Sequence, residues 1–279
     1  MPLKDWDIQI NYGIKTGFND AFIITTEKRD EILANCQTKE ERQRTTELIR
    51  PILRGRDIKK YCCEWANLWL IYIPWHFPYQ FDDTIQGASE KAEQAFKEQY
   101  PSVYQHMLQY KEPLSKRNKA ETGIRYEWYA MQRWGAKYWD DFFKPKIVYG
   151  QFQDGAEYSF AEEGVFLSSN EYMIISHNYS SKCLLAFLNC KVSEWLLGNI
   201  TGNLGGNAKI GQKSNFLKLS VAILSQKDQG KFDKLVDTII QAKKQHRDTM
   251  KLEEQIDNEI YNLYGLTENE ISEIENALV

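Results

Sequence analysis

Two glycine-containing turns near the start of the chain carry side chains suited to binding a polyanion. The first spans residues 13–19, and the second spans residues 50–61, where five basic side chains accompany one acidic side chain. Glycine lets backbone N–H groups approach phosphate oxygens, and arginine offers a planar fork that fits phosphate or the acceptor edge of guanine. These turns predict backbone or base contacts with a nucleic acid through Gly13, Lys15, Thr16, Gly17, Asn19, Arg54 and Arg56. From these residues alone, two ordinary surface turns between strands remain an alternative.

A second group of polar side chains is interleaved with aromatic ones in residues 125–134. Arg125, Gln132 and Arg133 stand among two tyrosines and two tryptophans. Arginine pairs well with guanine and glutamine with adenine, so these three residues are candidates for base contacts. We assign the aromatic side chains to the core. A core helix with a polar outer face is the alternative explanation for the three polar residues.

Residues 199–213 form a glycine-rich stretch with no acidic residue. It holds four glycines, three asparagines, one glutamine and two lysines, and it predicts a donor-rich loop that follows a phosphate strand or a groove. The candidate contacts are Asn207, Lys209 and Gln212. The G-x-x-x-x-G-K-[ST] pattern is missing, which argues against nucleotide triphosphate binding.

In order and spacing, the two turns resemble the opening of the TaqI-like C-terminal specificity domain. This is the target-recognition domain of type IIG restriction-modification proteins and related adenine-specific DNA methyltransferases. Further segments follow in the family's order, namely residues 100–104, 110–117, 144–149, 185–191 and 260–266. The resemblance therefore covers nearly the whole chain from Ile10 onwards.

The resemblance implies that the chain is part of a longer protein and grips duplex DNA opposite a separate methyltransferase domain of the same parent chain. That domain would flip and methylate an adenine and would bind S-adenosylmethionine, so no cofactor is expected in this chain. Enzymatic activity is not expected here either, because the Asn-Pro-Pro and Asp-Pro-Pro motifs of adenine methyltransferases are missing and no Pro-Asp dipeptide precedes Asp57-Ile58-Lys59. The four histidines are scattered, so no catalytic residue and no metal ligand is predicted.

Composition and charge are compatible with this interpretation. The net charge of −4 is uneven, because residues 227–279 hold 7 Lys and Arg against 12 Asp and Glu while residues 1–226 hold 28 against 27. A local basic face, not the total charge, decides nucleic-acid binding. No apolar run approaches the roughly 20 residues of a membrane span, and five unevenly spaced cysteines indicate reduced thiols in a cytoplasmic protein.

Hydrophobic periodicity predicts an α+β fold with a β-rich body. Strands are expected in residues 5–26 around the first turn, 68–73, 146–149, 164–167 and 172–175, with helices over 31–49, 89–114 and 181–197. Residues 232–263 predict one long amphipathic helix ended by Gly265, and Thr267 with Glu270 predicts a capping box that starts a short helix. The expected organisation is a DNA target-recognition domain over residues 1–226, with a helical insertion near 86–120, and a C-terminal helical segment over 227–279.

Two other functions stay open at this point. A protein-interaction module would use the aromatic surface and the acidic helix, with basic turns that only solubilise it. A specificity subunit related to type I systems would carry two recognition units and paired long helices. Convergence of the basic turns on one concave face would favour DNA over a protein partner.

Overall fold

The computed structural model describes residues 1–151, 157–201 and 213–278. Over these residues the chain forms nine strands and twelve α-helices, which confirms the predicted α+β class. The candidate residues Asn207, Lys209 and Gln212 lie outside the described residues. The strands are β1 (Ile8–Tyr12), β2 (Ile23–Thr25), β3 (Ile49–Leu53), β4 (Tyr61–Cys62), β5 (Leu68–Ile71), β6 (Lys146–Gly150), β7 (Tyr158–Ala161), β8 (Phe166–Leu167) and β9 (Glu171–Ser176).

The strands form two sheets. The five-stranded sheet has the order β1-β9-β6-β7-β4, and its neighbours are antiparallel except for the parallel pair β4 and β7. The four-stranded sheet has the order β2-β5-β3-β8, with a parallel pair between β3 and β8. The first turn connects β1 to β2 and therefore passes from one sheet to the other.

The helices occupy the connections and the C-terminal segment. They are α1 (Asn19–Phe22), α2 (Thr26–Ala34), α3 (Lys39–Leu48), α4 (Glu90–Gln99), α5 (Pro101–Leu108), α6 (Lys111–Lys116), α7 (Ser181–Leu188), α8 (Lys191–Thr201), α9 (Lys213–Phe216), α10 (Gln226–Lys244), α11 (Met250–Tyr264) and α12 (Glu268–Ala277). The helical insertion is confirmed as the run α4–α6. The predicted helices over 31–49 and 181–197 are each divided into two, and the helical run over 89–114 starts afresh at Pro101, as the sequence indicates, and again at Lys111.

The prediction of one long helix over residues 232–263 is wrong. The chain forms α10, breaks between Gln245 and Thr249, where His246 has φ +54°, and continues as α11. Both helices bury apolar side chains in the same core, so a helical period persists across the break. The end of α11 at Gly265, with φ +66°, and the capping box of Thr267 and Glu270 are as predicted.

Two hydrophobic clusters lie on opposite faces of the five-stranded sheet. Ile147 and Tyr149 of β6 belong to the cluster formed with the helices from α7 to α12, whereas Val148 belongs to the cluster formed with the four-stranded sheet and the helical insertion. This alternation follows from the two-residue period of a strand. The C-terminal helices therefore brace the sheet whose other face supports the basic turns.

Neither a membrane-spanning helix nor a metal-binding cluster occurs in the described part of the chain. No helix there is long and apolar enough to cross a membrane. No group of three or more His, Cys, Asp or Glu side chains is placed to hold a metal ion within the same residues. All five cysteines are free thiols.

Lys146 is a fully buried cation at the start of β6. Its ammonium donates hydrogen bonds to the carbonyl oxygens of Phe142 at 2.8 Å, Lys144 at 2.9 Å and Glu162 at 3.3 Å. Burial lowers the pKa of Lys146 to about 7. The side chain therefore joins the 142–144 turn to the end of β7 at the cost of desolvating an amine.

We expect the contribution of Lys146 to stability to rise with pH. An unfolded lysine has a pKa near 10.4, so between pH 7 and about 10 the unfolded chain binds more protons than the folded one. The stability difference between the wild type and Lys146→Met should therefore grow in favour of the wild type by about 2 kcal/mol from pH 7 to pH 9. Urea unfolding at pH 6, 7, 8 and 9 measures this difference. An identical pH dependence in both proteins would mean that the carbonyls keep the amine protonated throughout.

Candidate nucleic-acid interface

A cleft of about 990 Å³ lies between β1, the loop that follows Arg133 and the start of α9. We refer to it as the basic cleft. Among the described residues, no aspartate or glutamate lines it, and five cationic side chains do: Lys4, Lys15, Arg133, Lys137 and Lys213. Aromatic and amide groups complete the lining, among them Asn11, Tyr12, Trp75, Trp134 and Tyr138. The arrangement offers positive charge, flat apolar faces and hydrogen-bonding groups in one concave surface.

Backbone pairing brings the first turn to the aromatic segment. The N–H of Lys15 donates to the carbonyl of Arg133 at 2.8 Å, and the N–H of Arg133 donates back at 2.9 Å. The N–H of Gln132 donates to the Thr16 carbonyl at 3.3 Å. Residues more than one hundred positions apart thus form a two-stranded contact that places Lys15 and Arg133 in the same cleft.

Arg117 stabilises this pairing by binding backbone carbonyl oxygens of both segments. Its guanidinium donates hydrogen bonds to the carbonyl oxygens of Thr16, Trp128 and Ala130, the second at 3.1 Å. The side chain is largely buried, and burial lowers its pKa to about 10. The planar fork of one arginine thus connects the first turn, the aromatic segment and the end of the helical insertion.

The other residues of the first turn divide into buried and exposed positions. Gly13 is buried and its N–H donates to the Glu171 carbonyl at 2.9 Å, so that N–H is already used within the protein. The Thr16 hydroxyl is also buried and donates to Oδ1 of the exposed Asn19 at 2.6 Å. Gly17 is exposed, has φ +78° and lies against Gln132, so a left-handed residue caps this end of the turn.

Arg54 and Arg56 of the second turn have different environments. The Arg54 fork is bound to Asp57, with Nε to Oδ2 at 3.0 Å and an NH₂ group to Oδ1 at 2.9 Å, and this contact raises the pKa of Arg54. Arg56 is exposed and has no ion pair or hydrogen bond from its side chain within the described chain. In the described part of the chain, neither Arg54 nor Arg56 lines the basic cleft. The turn meets the cleft rim indirectly, because the Ser168 N–H donates to the Leu53 carbonyl.

Arg125 and Arg133 share one carboxylate. Both NH groups of Arg133 lie 3.0 Å from Glu121, and Arg125 lies 2.9 Å from the same carboxylate. Hydrogen bonding from Arg133 lowers the pKa of Glu121. The two guanidinium carbons also lie 5.4 and 5.9 Å from the centre of the Trp75 ring. Glu121 therefore competes with any phosphate for these two arginines, whereas Lys4, Lys15 and Lys137 carry no ion pair within the described residues.

The aromatic side chains of residues 125–134 are in the core, as predicted. Residues 125–134 have an irregular backbone, so the core helix that was the alternative explanation for the three polar residues is not present. The cleft residues that sequence reasoning missed include Lys4, Tyr12, Lys137 and Lys213. Two of them had an available signal, because Tyr12 directly precedes the first turn and Lys213 ends the glycine-rich stretch. Lys4 and Lys137 stand in segments without a motif.

The family model of the TaqI-like C-terminal specificity domain matches residues 50–218. No curated protein matches the sequence significantly. Two solved structures resemble the fold. The type IIL restriction-modification enzyme MmeI, solved in complex with DNA, matches with a TM-score of 0.60 and 15% identity, and the type IIG restriction endonuclease BpuSI with 0.51 and 12%.

The structural matches extend over most of this chain but only part of the matched enzymes. For MmeI they cover 98% of this chain and 35% of the enzyme, and for BpuSI 85% and 26%. At such identities they show similarity of fold alone.

We expect Gly13→Ala to lower the free energy of unfolding by about 3 kcal/mol, because overpacking forces the backbone apart. A Cβ at this position would lie 1.8 Å from the Ser168 carbonyl oxygen. Gly230→Ala in α10 is the matched control, since a Cβ there meets nothing within 4 Å and alanine is favoured in a helix by about 1 kcal/mol. Urea unfolding followed by circular dichroism compares the two. Equal stability of the two variants would contradict the close approach at Gly13.

Arg117→Lys should destabilise the protein by about 2 kcal/mol, because one ammonium cannot satisfy three buried carbonyls that a planar fork reaches. Thermal unfolding measures the loss. Lys116→Met is the neighbouring control, since Lys116 is 68% exposed and its pair with Glu112 is a surface pair. If Arg117→Lys unfolded at the same temperature as the wild type, the three-carbonyl contact would carry little stability.

Proposed function

We propose that this chain, which belongs to the TaqI-like C-terminal specificity domain family, recognises a specific duplex DNA sequence. The family model matches more than half of the chain. The observation that carries the proposal is the basic cleft, where five cations converge without a carboxylate in the described lining. Such a surface attracts a DNA backbone even when the whole chain has a net charge of −4.

The unpaired lysines suit the backbone contacts. Lys4, Lys15 and Lys137 are exposed at the cleft and have no ion pair to break within the described residues. Lysine binds phosphate as a point charge, and each neutralised phosphate releases counterions. Arg56 is a further exposed cation on the second turn, whereas Arg54 already stabilises its own turn through Asp57.

Base recognition is assigned to the residues where the two segments pair. Arg133 lines the cleft and Gln132 stands next to it on the same strand-like contact. Their side chains match guanine and adenine respectively. Asn207, Lys209 and Gln212 are proposed as additional contacts, because this stretch of sequence leads directly into Lys213, which lines the cleft.

The parent chain is proposed to be a cytoplasmic restriction-modification enzyme. The matched enzymes are about three times as long as this chain, which leaves room for catalytic domains elsewhere. We assign adenine methylation and S-adenosylmethionine binding to a methyltransferase domain of that parent chain, with DNA held between the two domains. This chain would supply specificity and no catalytic group.

The convergence of positive charge favours this function over a protein-interaction module. The first turn, the aromatic segment and the end of the glycine-rich stretch all reach one concave surface, at Lys15, Arg133 and Lys213. Basic side chains that only kept the protein in solution would be expected to be scattered over its surface and not to converge on one cleft. The second turn is the exception, since it lies outside the lining.

Selection from a randomised duplex library at several salt concentrations tests the proposal. We expect enrichment of one short site and an affinity that falls as salt rises. Lys15→Gln and Lys137→Gln should each weaken binding to all sequences and reduce the slope of log K against log salt by about 1, whereas Gln132→Ala should relax the preference at one base pair.

Lys97→Gln is the charge-matched control, because Lys97 is exposed on α4 and does not line the cleft. Equal loss of affinity in Lys97→Gln and Lys15→Gln would indicate a non-specific charge effect. Failure of the folded chain to bind any duplex at low salt would refute DNA recognition by this chain and favour the protein-interaction module.

A further inference from the structure

A second cavity, of about 220 Å³, shares a wall with the basic cleft. Trp134 lines both cavities, and the other aromatic walls of the second one include Phe81, Tyr100, Trp139 and Phe143. We refer to it as the aromatic pocket. Phe81 is 62% exposed at its edge, with its ring centre 4.9 Å from that of Trp139 and 6.4 Å from that of Trp134. Flat rings thus face a small space beside the cleft.

Polar side chains also enter the wall of the aromatic pocket. The guanidinium carbon of Arg50 lies 5.2 Å from the centre of the Phe143 ring, and within the described residues this side chain has no hydrogen bond or ion pair. Arg44 lies over Tyr100 and donates to the Gln99 carbonyl at 2.9 Å. Nε of Arg44 and Oε1 of Gln80 are buried without a hydrogen-bond partner in the described structure. The lining also includes the carboxylate of Glu47.

We propose that the aromatic pocket binds one nucleobase together with its phosphate. A planar heterocycle stacks on aromatic rings and offers both donors and acceptors at its edge, which fits the Arg50 guanidinium as a donor and the Glu47 carboxylate as an acceptor. Arg50 matches the phosphate or an acceptor edge. A purely apolar ligand would leave these groups unsatisfied, and because the two arginines outnumber the single glutamate, the lining favours an anionic over a cationic ligand. The cavity is also smaller than the roughly 300–1,000 Å³ of sites for larger ligands.

The base has two possible sources with the same chemistry. It is either a free mononucleotide or a base of the DNA strand in the basic cleft, and only the second source rests on the function proposed above. Because Trp134 lines both cavities, the aromatic pocket lies next to the cleft in which the DNA strand is proposed to lie. Removing a base from the duplex costs a few kcal/mol, which stacking in the pocket offsets.

Titration of the 279-residue chain with each of the four deoxynucleoside monophosphates tests the site, with quenching of tryptophan emission as the readout. We expect saturable binding that Phe81→Ala weakens about tenfold through loss of stacking, while Phe81→Tyr keeps it. Arg50→Gln should weaken binding of the monophosphate more than binding of the unphosphorylated nucleoside. Circular dichroism confirms that each variant is folded, and the exposure of Phe81 makes its replacement compatible with folding.

A competition experiment separates the two sources and the two proposals. If a site-bearing duplex displaces the bound nucleotide, the base comes from DNA, whereas retention of the nucleotide beside bound duplex identifies a free-nucleotide site. Nucleotide binding without any duplex binding would support the aromatic pocket while the function proposed above fails. No saturable nucleotide binding, or equal affinity in the wild type and Phe81→Ala, would overturn the proposal even if duplex binding is intact.

Discussion

The contact of Arg117 with three carbonyl oxygens is the constraint on which the candidate interface depends. The first turn leaves the five-stranded sheet at β1 and enters the four-stranded sheet at β2, so neither sheet alone fixes its course. Arg117 ties the Thr16 carbonyl to those of Trp128 and Ala130. The pairing of Lys15 with Arg133 lies one residue from Thr16 in the first turn and three residues from Ala130 in the aromatic segment. A buried charge thus fixes where the exposed charges stand.

The charge distribution of the chain is organised by the same division of faces. The excess of acidic residues lies in residues 227–279, whose helices cover one side of the five-stranded sheet. The cleft cations are contributed by the N-terminal segment, the first turn, the loop after Arg133 and α9. Separation of the two charge signs along the sequence therefore lets an acidic protein present a basic surface. Outside the cleft lining, Glu121 pairs with Arg125 and with Arg133, and it thereby orders these arginines and limits their availability.

Much of the architecture was accessible from the sequence, and the reasons differ between elements. Strand periods and the capping box of Thr267 and Glu270 are local signals, and the structure contains the corresponding elements. The break between α10 and α11 is not visible in a hydrophobic period, because both helices face one core. The site is less accessible from the sequence. The first turn and Arg133 are separate predictions, and the backbone pairing that unites them joins residues more than one hundred positions apart and leaves no local pattern. Lys4 and Lys137 reach the cleft only through that tertiary arrangement.

The alternation of side chains along β6 has a consequence for how the protein loses its structure. Since Ile147 and Tyr149 anchor one hydrophobic cluster and Val148 the other, the same strand is a structural member of both. Neither cluster can melt while β6 stays fully packed, which favours a single cooperative transition over two independent ones. The helices after residue 226 would then be energetically coupled to the basic cleft although none of their side chains lines it. A ligand that binds in the cleft would therefore also stabilise the C-terminal helices against unfolding, because both depend on the same sheet.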